Sequence, residues 1–187
     1  MLALLDERPM YPYRMQQLIR ERGKDEIVNV RHRTSLYQTI ARLERDRLIE
    51  VQGTSKAENR PERTVYQITR DGRQTIQTWL REMLAKPAGE FPEFPAALSF
   101  LYLLEVKVAR KELMQRAESL QAKLERWSEV LREHAGSVPR LFLLEVEYLR
   151  AVTQADLAFV QGIIEDLERG RLSWDRKALA RTLKAAE

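Results

Sequence analysis

The chain has no cysteine, and only seven glycines and seven prolines among 187 residues. The first absence excludes disulfides and thiolate metal sites, and fits a reducing compartment. The second, beside a charged content of 32%, favours long solvated helices. Histidine is scarce too. Neither His32 nor His134 has a glutamate three residues before it, so the Glu-x-x-His signature of carboxylate-bridged bundles is missing. A glycine-rich phosphate loop is also absent. Acids such as Glu105, Glu145 and Glu147 read as solvated or salt-bridged rather than catalytic. Catalysis, a bound metal and a cofactor are therefore not expected. Long apolar runs are lacking as well. "FPAALSFLYLLEV" meets Glu105 well short of the roughly 20 residues that cross a bilayer. The N-terminal "MLALLDERPM" has no basic n-region or long apolar core. A cytoplasmic protein without a membrane partner is expected.

What the chain does have is enough apolar material for cores, at 44%, and an uneven charge distribution. Residues 1–88 hold 17 Lys+Arg against 12 Asp+Glu, whereas the remainder is nearly balanced at 15 against 16. A polyanion is the natural partner for the basic half. The segment "KPAGEFPEFP", residues 86–95, packs prolines and a glycine between two helical stretches. It divides the chain into an N-terminal domain over 1–85, a linker over 86–95 and a C-terminal domain over 96–187.

In the first domain the apolar period changes several times. "MLALL" reads as the end of a short helix. "RPMYPY" reads as a turn, because Pro9 and Pro12 do not fit inside a helix. Residues 13–22 place Met15, Leu18 and Ile19 on one helical face. "KDEIVNV" leads into Thr34, which reads as the N-cap of a helix over about 35–47. Leu36, Ile40 and Leu43 form its buried stripe. The period then becomes two in "LIEVQG" and "RTVYQIT", a two-stranded ribbon around the polar tip "TSKAENRPE". "RDGRQTIQTWLREMLA" returns to a helix that buries Ile76, Trp79, Leu80, Met83 and Leu84. Three helices, two strands and a helix are the plan of a winged helix-turn-helix.

The third helix carries the chemistry. Its face away from the stripe holds Thr34, Gln38, Ala41 and Arg45, flanked by Ser35 and Arg42 on one side and Tyr37 on the other. Gln pairs with adenine and Arg with guanine, while Ser, Thr and Tyr hydroxyls reach phosphates. Arg31, His32 and Arg33 stand at the helix start, where free N–H groups favour anions. A charged solvated face looks much the same, and Arg45 has acids beside it to pair with. The ribbon shifts the balance, since its tip brings Lys56, Arg60 and Arg63 within reach of a minor groove or flanking phosphates.

The second domain is helical throughout. Leu113, Ala117, Leu120, Leu124, Trp127 and Leu131 alternate spacings of four and three, the seam of a coiled coil over about three heptads. After Gly136 and Pro139, a helix over about 140–169 is expected to bury Leu141, Leu144, Tyr148, Val152, Ala155, Phe159 and Ile163 at similar intervals. The expectation is that Leu113, Leu120, Leu124, Trp127 and Leu131 meet a partner subunit.

Three motifs, "RPMYPYRM", "SLYQTIARLERDRLIE" and "NRPERTVYQITRDGRQTIQTWL", together resemble the PadR family of transcriptional regulators, in the form with a virulence-activator-like C-terminal helical region. They span most of residues 8–84, and the C-terminal half resembles the family by helix pattern and length. The resemblance implies a mainly α fold with a small two-stranded β wing, and a homodimer on a double-stranded DNA operator, usually as a repressor. It puts Tyr37 near the DNA backbone, the wing at residues 51–68 and the dimerising helices at about 97–169. Glycine is usual in the family where Pro12 stands. The resemblance also allows a small aromatic or drug-like effector, for which Phe100, Tyr102, Trp127, Tyr148 and Phe159 would line an apolar cavity at the dimer interface. The rival reading is a helical dimeric adaptor whose winged domain docks on protein.

Overall fold

The computed structural model describes residues 1–24, 27, 33–55, 63–87, 89 and 92–175. Two compact units divide the chain, Met1–Glu90 and Phe91–Glu187.

The N-terminal unit contains α1 (Leu2–Glu7), α2 (Pro12–Glu21), α3 (Arg33–Arg45), β1 (Ile49–Ser55), β2 (Arg63–Ile68) and α4 (Arg70–Ala85). Its core gathers Leu2, Leu5, Met15, Leu18, Ile19, Leu36, Ile40, Leu43, Ile49 and Ile68. The apolar residues of α2 and α3 recur at intervals of three and four, so each helix turns one stripe inwards. β1 and β2 pair antiparallel from Ile49 opposite Ile68 to Ser55 opposite Arg63, with a bulge between Val51 and Gly53. Met10 adds an isolated antiparallel bridge to Tyr66. Its N–H donates to the Tyr66 carbonyl at 3.0 Å and its carbonyl accepts from Tyr66 N–H at 3.1 Å.

Three local expectations change. Pro12 is not outside the second helix but is its first residue, where a missing N–H costs no hydrogen bond and the fixed φ suits a helix. Thr34 lies inside α3 rather than capping it, because the helix begins at Arg33. In α4 only Ile76 packs against the core; Trp79, Leu80, Met83 and Leu84 are exposed. The apolar face of α4 outruns the small core beside its first turns.

The second unit contains α5 (Glu93–Ser99), α6 (Val106–Glu133) and α7 (Leu144–Glu168), with short 3-10 turns at Leu101–Leu103 and Arg140–Phe142. α6 and α7 form an antiparallel hairpin. Arg110 near the start of α6 pairs with Glu168 at the end of α7 at 3.8 Å. Leu113 and Leu120 of α6 pack with Leu157, Val160 and Leu167 of α7, and Ala117, Leu124 and Ile163 lie partly buried around them. Trp127 is buried as well, and Leu131 partly so. The seam of α6 expected to meet a partner subunit is therefore filled from within the same chain. The inward residues of α7 are Val146, Thr153, Leu157, Val160 and Leu167. Leu141, Leu144, Tyr148, Val152, Ala155 and Phe159, expected to be buried, are exposed. Both stripes have helical spacing, and only the fold decides which of them α6 covers. The Trp174 indole donates to the Leu104 carbonyl at 2.9 Å, and Arg116 lies 3.6 Å from the centre of the Phe94 ring. These two contacts tie the segment after α7 to the one before α6, and α5 to the hairpin.

Candidate nucleic-acid interface

α3 is anchored through Leu36, Ile40 and Leu43, which are nearly inaccessible. The 100° advance per residue then turns Tyr37, Gln38, Ala41, Arg42 and Arg45 outwards, and all are exposed. Tyr37 shows 54% of its surface, unusual for a residue able to bury its ring. Arg42 makes no ion pair among the described residues. Arg45 does, with its Nε donating to Asp46 at 3.1 Å. Arg42 is thus the cation held ready on this face, while Arg45 is partly neutralised.

The end of α3 is built to turn sharply into the wing. Arg47 takes φ +57°, the left-handed conformation that usually selects glycine. Arg47 N–H donates to the Glu44 carbonyl at 2.9 Å and Leu48 N–H to the Leu43 carbonyl at 2.8 Å. This pair of bonds is a Schellman cap. Thr69 holds the corner from the other side. Its hydroxyl donates to the Arg47 carbonyl at 2.8 Å and accepts from Gly72 N–H at 3.0 Å, capping α4. Gly72 sits so close that a Cβ there would lie 2.1 Å from the Leu48 carbonyl oxygen. The wing is thereby fixed against α3. Burial pushes the Tyr66 phenol pKa up, and the nearby Glu44 carboxylate and Tyr37 add to the effect.

The sequence-assigned site divides into five groups. Tyr37, Gln38 and Arg42 share the outward face. Ser35 is exposed but lines a groove of about 300 Å³ between α1, α3 and α4, with Leu36, Leu43, Ile76, Trp79 and Met83. Arg63 is not at a free tip. It opens β2 opposite Ser55, at the tip end of the paired strands, with its guanidinium over the Tyr11 ring at 4.8 Å from the centre, which ties that end of the wing to the start of α2. Arg33 and Thr34 lie in the first turn of α3. Arg31, Lys56 and Arg60 fall outside the described residues. What the sequence reading missed is the support: the Met10 bridge, the Tyr11–Arg63 contact and the Thr69–Arg47 tie. Only "TRDG" carried a signal, as an N-cap threonine before a helical run.

A helix presenting tyrosine, glutamine and arginine beside an antiparallel wing defines a winged helix-turn-helix, the fold of a DNA-binding transcriptional regulator. Residues 1–78 match the family model described as "Transcriptional regulator PadR-like family". Residues 1–78 of the N-terminal unit therefore carry a PadR-like domain.

Solved structures agree in fold. Bacillus subtilis PadR in complex with operator DNA superposes with a TM-score of 0.72 at 18% identity, covering 89% of this chain and 95% of that one. Bacillus subtilis PadR in complex with p-coumaric acid gives 0.69 at 16% identity, with the same coverages of 89% and 95%. The Vibrio cholerae virulence activator AphA gives 0.66 at 18% identity, covering 90% of this chain and 95% of that one. No curated protein matches the sequence. Among the described residues no helix is long and apolar enough to cross a membrane, and no cluster of His, Asp or Glu could hold a metal ion.

Proposed function

We propose that the chain is a cytoplasmic, non-enzymatic repressor that binds a pseudo-palindromic operator as a homodimer. The observation that carries this reading is the outward face of α3, where Tyr37, Gln38 and Arg42, which makes no ion pair among the described residues, stand exposed together beside a braced wing. Gln38 and Arg42 would read base edges in a major groove, while Tyr37 on the wing side would position the helix through a phosphate. Two such helices related by a two-fold axis place half-sites about 34–36 Å apart. Relatives of this fold have been solved with operator DNA and with p-coumaric acid. A small aromatic or drug-like effector that favours one spacing of the two reading helices would shift the population away from the DNA-bound form.

The test is a fluorescence-anisotropy titration against the DNA upstream of the protein's own gene, beside a scrambled duplex, at several salt concentrations. Tighter binding to the native duplex, weakening steeply with salt, is the expected result. Absence of binding to either duplex overturns the reading in favour of a dimeric adaptor.

A further inference from the structure

Arg63 is held in place by something other than an acid. Its guanidinium lies over the Tyr11 ring at 4.8 Å from the centre, and its donors meet no hydrogen-bond or ion-pair partner among the described residues. By contrast Arg14, Arg22, Arg45 and Arg73 each pair with a carboxylate. To cover an aromatic ring a leucine would serve as well. A guanidinium stacked by its face keeps its N–H groups in the plane of the fork, pointing past the ring edge. Those in-plane donors match the oxygens of a phosphate.

Tyr11 is itself fixed from two sides. Met10, just before it, exchanges two backbone hydrogen bonds with Tyr66 of β2. The Tyr11 carbonyl accepts from Arg14 N–H at 3.0 Å and from Met15 N–H at 3.3 Å, at the start of α2. The ring is thus carried by a strand on one side and a helix on the other, and both it and Arg63 are half-buried. Arg63 in turn stands opposite Ser55, at the tip end of the ribbon. An arginine on a free loop loses rotamer freedom when it seats on a phosphate, and that loss is subtracted from affinity. One already stacked on a fixed ring has lost it on folding.

We propose, on the DNA-binding reading above, that Arg63 takes a backbone phosphate of the bound duplex and that Tyr11 is its positioning residue. The contact carries no sequence information and is separate from base reading by α3.

The test is a double-mutant cycle followed by fluorescence anisotropy on the upstream duplex and a scrambled one, at several salt concentrations. Arg63→Ala should weaken binding to both by a similar factor, about 10-fold, and reduce the slope of log affinity against log salt by about one. An unchanged slope overturns the phosphate contact. Tyr11→Leu leaves the charge in place, so it should weaken binding about 3- to 10-fold with the slope unaltered. In the Arg63→Ala background the same substitution should change nothing further. Tyr11→Phe keeps the ring face and should bind like the wild type. A purely structural Tyr11 would give the same loss with or without Arg63, and such additivity overturns its positioning role. Arg63→Lys leaves Tyr11 untouched, and so decides the matter even where Tyr11→Leu does not fold. It should keep the slope and lose about 3-fold in affinity, because the planar fork is gone. Full affinity in Arg63→Lys means that charge alone suffices, and overturns the role of the stack. Absence of wild-type binding to either duplex overturns the DNA-binding reading itself; wild-type binding with an unaffected Tyr11→Leu overturns only the role given to Tyr11.

Discussion

The hydroxyl of Thr69 donates to the carbonyl of Arg47 at 2.8 Å across 22 positions of sequence, while accepting from Gly72 N–H. One side chain thus joins the end of α3 to the start of α4, with the whole wing looped out between them. Thr69→Ala removes the cap and the tie together and should lower unfolding free energy by about 1–2 kcal/mol, as urea denaturation would show. Arg47→Gly relieves the left-handed backbone at φ +57°. It should raise stability by about 1 kcal/mol. A destabilised Arg47→Gly variant would mean that the Arg47 side chain contributes more than its backbone costs.

Gly72 admits no side chain. Its hypothetical Cβ meets the Leu48 carbonyl at 2.1 Å and the Ile68 side chain at 2.7 Å. Backbone cannot give way as a flexible side chain would. Gly72→Ala should cost about 3 kcal/mol or abolish folding of the N-terminal unit. Thermal melts beside an exposed control such as Gly53→Ala, which has nothing within 4 Å, would show the contrast.

On the reading face, Arg42→Ala should weaken operator binding about 10- to 100-fold, and by a base-dependent amount if Arg42 pairs with guanine. Tyr37→Phe separates the phenol from the ring. A loss confined to the hydroxyl marks a phosphate contact; its absence leaves Tyr37 as packing against the wing. Both variants should melt like the wild type, since both side chains are exposed.

Acid should loosen α1 in one direction only. Glu7 accepts two hydrogen bonds from Arg22, both at 2.6 Å, which hold its carboxyl below the ordinary glutamate range. A depressed folded-state pKa adds stability above the unfolded value of 4.5, lost as pH falls through the folded value. Glu7→Gln should therefore be less stable than wild type at neutral pH, by less than about 1 kcal/mol for so exposed a pair. The difference should vanish in acid. A gap that persists below pH 3 would point to packing rather than charge.

Leu120 separates two models of the C-terminal unit. It is 8% accessible and sits in the hairpin core with Leu157 and Val160. Leu120→Asp buries an unpaired carboxylate, so helicity of the unit should be lost along with any dimer. A folded monomer instead would return the α6 seam to the subunit interface.

Local periodicity made α3 legible before any fold was known. Leu36, Ile40 and Leu43 at intervals of four and three dictate which side is buried, and hence that Tyr37, Gln38 and Arg42 turn outwards. The wing was legible for the same reason, because a period of two bounded by polar residues leaves few alternatives. Pro12 was misplaced because its effect depends on position within a helix, which residue type alone does not state.

Other features depended on contacts between residues far apart in sequence. α4 and α7 each carry apolar residues at helical spacing, yet Trp79, Leu80, Tyr148 and Phe159 stay exposed within this chain. A helical period states that a face is apolar, not which neighbour covers it. For α6 and α7 that choice was made by the hairpin, which spent the Leu113–Trp127 seam inside one subunit and left the opposite face of α7 outside. The Thr69–Arg47 tie and the Tyr11–Arg63 contact likewise exist only once the chain has folded back on itself. The sequence by itself determined which faces were apolar and which residues could read DNA; the tertiary structure alone decided which of those faces met one another, because pairing is a property of two surfaces and periodicity belongs to one.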